Sequence, residues 1–151
     1  MEPPLNGPAM RICGRMKGDH QDLDERWTRF DATPASDLAA RRMLFASFRS
    51  DLLHHIRIEE DTLFPRMIET DPGQRTLVER LLEEHERIRD VLRRIAEALE
   101  SGTGPIDELS FELVNELGEH NAREEATAYP WLDDHLSPSE TAEMIRRLED
   151  R

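Results

Sequence analysis

Six residues of metal-binding type recur at regular intervals: His20, His55, Glu59, His85, His120 and Glu124. His20 and His55 are 35 residues apart, as are His85 and His120. A shift of 65 residues carries His20 onto His85, His55 onto His120 and Glu59 onto Glu124. The segments HIRIEEDTLFP (55–65) and HNAREEATAYP (120–130) share His, two Glu, Thr and Pro at equal places, with Phe64 answering Tyr129. Self-similarity at a fixed offset marks a repeated structural unit. In each segment His and Glu stand at i and i+4, one turn apart on the same helix face, so imidazole and carboxylate can reach one point. Mixed imidazole and carboxylate donors without cysteine suit iron, manganese or zinc. A carboxylate can bridge two ions and an imidazole cannot, so four inward His and two inward Glu point to two ions with both Glu shared.

Four amphipathic segments must carry these residues. The first is expected from about Asp19 to Asp31, with His20, Leu23, Trp27 and Phe30 on one face and Pro34 marking the turn. The second follows a cap at Ser36 or Asp37, carries Phe45, Phe48, Leu52, His55, Glu59 and Leu63 inward, and ends near 65–68 before Asp71-Pro72-Gly73. The third carries Val78, Leu81, His85, Ile88, Leu92, Ile95 and Leu99, and stops at Ser101-Gly102-Thr103-Gly104-Pro105. The fourth carries Ile106, Leu109, Leu113, Leu117, His120 and Glu124, with Pro130 just beyond its metal-facing end. Ser137-Pro138-Ser139-Glu140 is a capping box that announces a short last helix, with Met144, Ile145 and Leu148 as its apolar side. No segment alternates as a strand does. The expected fold is all-α: an antiparallel up-down-up-down four-helix bundle with a short C-terminal helix. Residues 1–18 read as a flexible N-terminal extension, 19–136 as the bundle, and 137–151 as a helix packed on it.

Core positions that hold unpaired polar groups cost free energy. Six such groups on the inner stripes of four helices therefore need one common explanation, and a metal centre supplies it. The pattern H…HxxxE…H…HxxxE, with EExxLFP after the first HxxxE, resembles the hemerythrin-like HHE cation-binding family over about residues 19–132. A single HxxxE is weak; the duplicated set with matched spacing is specific. The resemblance implies two iron ions with an oxo or hydroxo bridge. His20 and His55 would bind one, His85 and His120 the other, and Glu59 and Glu124 would bridge. It implies binding or sensing of O2, nitric oxide or peroxide at an open iron position, with a separate signalling partner for a sensor. The alternatives are a di-iron enzyme acting on peroxide or nitric oxide, and an iron store or buffer. Oxygen-carrying members have a second His one turn away on the third helix. Here the flanking residues are Leu81 and Arg89, which implies more open metal positions and a nearly two-fold symmetric site.

Composition narrows the rest. The chain of 151 residues suits one domain, and its net charge of −13 argues against nucleic acid and against an anionic membrane surface. The single cysteine, Cys13, excludes an internal disulfide and reads as an inert exposed thiol. No apolar run nears the roughly 20 residues of a membrane span, and no signal-peptide core is present, so a cytoplasmic protein, monomer or homodimer, is expected. His54 and His135 read as surface residues, and the pairs Glu83-Glu84 and Asp133-Asp134 as solvated faces. Glu60 and Glu125 read as surface ion-pair residues or partners of an imidazole N–H. Tyr129 reads as core or interface, with coordination or oxidation open to it beside iron.

Overall fold

In a computed structural model, residues 11–150 are described. Among them the chain is helical throughout, with no strand. Helix α1 (Ile12–Ala32) is followed by α2 (Leu38–Ile58), a π-helical turn (Glu59–Leu63) and α3 (Phe64–Thr70). A 3-10 turn (Pro72–Gln74) leads into α4 (Arg75–Ser101). Then come α5 (Ile106–Ala126), α6 (Ala128–His135) and α7 (Pro138–Glu149). No helix among the described residues is long and apolar enough to cross a membrane.

Neighbouring long helices run in opposite directions. Along α1 and α2, His20 meets His55, Arg26 meets Asp51, and Thr33 meets Arg41. Along α4 and α5, His85 meets His120 and Arg94 meets Glu112. Arg42 near the start of α2 bonds the carbonyls of Leu99 and Glu100 at the end of α4. The Thr33–Arg41 bond (3.0 Å) also settles how two helices with unequal spacings to their turn bring His20 level with His55. Because α2 begins one turn beyond the end of α1, His20 lies about as far from Thr33 as His55 lies from Arg41 at ~1.5 Å per residue.

Two apolar clusters lie along the bundle. One contains Trp27, Phe30, Phe45, Phe48, Leu92 and Ile95. The other contains Ile12, Met16, Phe64, Met67, Leu81 and Leu132. In the first, the Trp27 indole N–H donates to Ser110 Oγ (3.2 Å), which satisfies a buried polar atom. At the end of α4, Gly102 takes φ +74, a left-handed cap that costs glycine little.

The structure corrects several boundaries. Helix α1 starts at Ile12, not Asp19, and Ile12 and Met16 are core residues, so 12–18 are not an extension. Residues 1–10 of that proposed extension lie outside the described residues. The first backbone N–H groups of α1 are capped from far along the chain: Ile12 and Cys13 donate to the Asp133 carboxylate at 2.7 and 3.1 Å. Asp133 is therefore no solvated residue, whereas its pair-mate Asp134 is exposed. The second helical rod continues to Thr70 through the π turn. Pro65 lacks an N–H and its ring would crowd the carbonyl four residues back; a turn widened by one residue relieves this. Pro130 has the matching effect at Thr127, where α5 ends and α6 begins. His135 consequently closes α6, exposed and stacked on Trp131.

Helix α7 has the expected capping box: Glu140 N donates to Ser137 Oγ and Ser137 N to Glu140 Oε1. It docks by its buried Leu148, whose carbonyl lies 3.2 Å from His54 Nε2, and by ion pairs of Arg15 with Glu149 and Arg66 with Glu140.

Candidate metal centre

Each of the six residues singled out by spacing is buried, and their side chains converge between the two apolar clusters. Ligand atoms of Glu59, His85, His120 and Glu124 lie within 4.8 Å of one another, and so do those of His20, His55 and Glu124. Glu124 belongs to both groups. Glu59 spans them as well, with Oε1 3.2 Å from His85 Nε2 and Oε2 3.7 Å from His55 Nε2.

The imidazoles share one orientation. His20 Nε2 faces Glu124 (3.5 Å), His55 Nε2 and His85 Nε2 face Glu59, and His120 Nε2 faces Glu124 (3.2 Å). The opposite nitrogens face carboxylates further out: His20 Nδ1 to Glu125 (2.8 Å), His85 Nδ1 to Glu60 (2.8 Å) and His120 Nδ1 to Glu84 (2.9 Å). His55 Nδ1 is 3.5 Å from Asp19, an ion-pair distance without a hydrogen bond. A carboxylate at Nδ1 keeps the proton there and leaves the Nε2 lone pair pointing inward, as a metal ligand needs. Arginines in turn hold three of these carboxylates: Arg15 on Asp19, Arg89 on Glu60 and Arg123 on Glu84.

Electrostatics favour positive charge at the centre. Burial opposes a charge on His120, but Glu124, Glu59 and Glu84 outweigh it and push the ring up to about 9. His20 and His85 are likewise raised against burial, by Glu124 and Glu59 respectively. Glu59 is pushed up by burial and by the adjacent Glu124 charge. Glu124 is held well below the usual carboxylate range despite burial, by its bond with Glu59 and by His120 and His20. His85 Nε2 and His120 Nε2 are only 3.1 Å apart, a contact two inward lone pairs can keep only with a proton or cation between them. Glu124 Oε2 is buried without a hydrogen-bond partner. A donor set of four imidazoles and two carboxylates fits iron, manganese or zinc.

Two acids are placed differently from expectation. Glu84 is 3% exposed and bound to His120 and Arg123, so it is not part of a solvated face. Asp19 stands beside His55, a role its sequence position did not signal. Tyr129 is a core residue, as expected, and its fully buried hydroxyl lies inside the site, within hydrogen-bond distance of Glu59 Oε2 (2.6 Å) and Glu124 Oε1 (2.8 Å). Glu60 and Glu125 take the imidazole-partner role. His54 is half-buried against α7, and its contacts lie outside the cluster. Cys13 is half-buried rather than exposed; burial and Asp133 push its thiol up to about 11, which suppresses the nucleophilic thiolate.

A family model described as the hemerythrin HHE cation binding domain matches residues 11–132. No curated protein and no solved structure gives a significant match.

Proposed function

Because the chain belongs to the hemerythrin HHE cation-binding domain family, we propose that it is a non-haem di-iron protein that binds or senses O2, nitric oxide or peroxide at an open iron position. In this reading His20 and His55 hold one ion, His85 and His120 hold the other, and Glu59 and Glu124 are shared. The supporting observation is the common orientation of four imidazoles, each with Nε2 toward the shared carboxylates and Nδ1 toward an outer acid. Iron, when bound, supplies Lewis-acid and redox chemistry toward small ligands. The chain's own part is to hold and orient the imidazoles, to keep bulk water out with Phe64, Leu63, Leu81 and Met16, and to leave a route inward. A groove of about 520 Å³ between α1 and α5 reaches His20 and Glu125 past Trp27, Phe48 and Leu117. Every carboxylate and imidazole of the cluster is used in this scheme, so none is left as an independent general base. That favours ligand binding over hydrolysis.

Elemental analysis of protein purified without chelator tests the reading. Two irons per chain support it; one metal, or zinc alone, overturns it. Addition of O2 or nitric oxide to the diferrous protein then separates the roles. A long-lived visible band is expected for a binding protein, whereas many peroxide turnovers per site would identify an enzyme.

A further inference from the structure

Tyr129 breaks the two-fold symmetry of the site. It answers Phe64 in the repeat, and both residues precede a proline that interrupts a helix directly after the HxxxE segment. Both aromatic rings turn inward: Phe64 stacks on His85 (5.6 Å between centroids), and Tyr129 lies 5.7 Å from His20. The tyrosine alone carries an oxygen. That oxygen is 2.6 Å from Glu59, 2.8 Å from Glu124, 3.2 Å from His20 Nε2 and 3.5 Å from His55 Nε2.

We propose that Tyr129 is itself a metal ligand, giving a phenolate oxygen to the ion held by His20, His55 and the shared glutamates, so that the two metal positions are chemically different. This rests on the two-ion reading above. Any ion within bonding reach of those His and Glu atoms, at ~2.0–2.2 Å for a zinc-like cation, falls in the immediate neighbourhood of the phenol oxygen. The ring has little freedom to leave: Tyr129 is fully buried in α6 and packed among Met16, Leu63 and Leu132 in one cluster. In the metal-free chain the Glu59 and Glu124 carboxylates beside the phenol oxygen favour its protonated form; a cation held by those same carboxylates offsets their charge and favours the phenolate. Binding therefore forms one metal–oxygen bond and releases one phenol proton to solvent, with no change of oxidation state. The His85–His120 half has Phe64 in the equivalent place and gains no such oxygen.

Tyr129 is the chain's sole tyrosine, so a tyrosinate signal has one possible source. The test is an ultraviolet difference titration of the metal-free full chain with Zn(II), followed by visible and resonance Raman spectra of the Fe(III)-loaded chain. One tyrosinate per chain on zinc loading, and a phenolate-to-Fe(III) band that Y129F lacks, are the expected results. Two bound metals without a tyrosinate signal in the unaltered chain would overturn the proposal and leave the di-iron reading standing. Fewer than two metals per chain without that signal would overturn both. The zinc titration needs no variant, so a poorly folding Y129F does not remove the test.

Discussion

Glu84 Oε1 lies 2.9 Å from His120 Nδ1, and Glu84 Oε2 lies 3.0 Å from Arg123 Nε, four residues before the threonine at which α5 ends. An acid on α4 thereby orients an imidazole on α5 while an arginine on α5 orients the acid. The same construction recurs between the π-helical turn and α4, where Glu60 stands between His85 and Arg89. A charged group buried in this way earns its place only by holding its partner in one geometry.

Glu84→Gln should therefore weaken metal binding without disturbing the bundle. The amide can no longer take the Nδ1 proton's charge-assisted bond, and loss of such outer partners costs about 10–100-fold in affinity. Competition against a chromophoric chelator measures this, with circular dichroism expected unchanged. Unaltered affinity would show that Glu84 serves packing alone.

His55→Ala should lower the metal content from two ions per chain to one. It removes one of the three donors His20, His55 and Glu124, while Glu59, His85, His120 and Glu124 remain together. Elemental analysis of the folded variant gives the count. A variant that still holds two ions would contradict the assignment of His55 as a ligand.

The metal-free protein should lose stability as pH rises from about 6.5 to about 9. His120 is raised in the folded chain to about 9, from 6.5 when unconstrained. Its folded state thus binds the proton more tightly. The stabilisation is complete below the unfolded value and is lost as pH climbs through the folded one. His20 and His85, also raised, act in the same direction. Metal should reverse the trend, because ligand imidazoles must be deprotonated and affinity rises with pH. Melting temperatures of both forms across this range supply the comparison.

Ser137→Ala should cost about 1 kcal/mol by removing the N-cap of α7. For a domain of this size the melting temperature should fall by roughly 2–4 °C. Metal content should stay the same, since α7 touches the bundle through His54, Arg15 and Arg66 and contributes nothing to the cluster. Scanning calorimetry beside metal analysis checks both halves of the expectation.

The all-helical fold and the convergence of His20, His55, Glu59, His85, His120 and Glu124 were legible in the chain itself, because both rest on local spacing. Apolar residues three and four apart define a helix face, and a polar residue on that face is carried inward wherever the helix packs. The capping box at Ser137 is local in the same sense. What only the tertiary structure decided depends on how one helix is rotated and shifted against another. Glu84 read as part of a solvated face and Asp19 only as the start of the first helix until α4 met α5 and α1 met α2, which set each beside an imidazole. The start of α1 was hidden because Asp133, far along the chain, caps it. Tyr129 and Phe64 look equivalent as a repeat. Yet the phenol oxygen matters only because α6 holds the ring deep enough to reach both glutamates, and the depth of a long side chain is set by packing, which no sequence interval records.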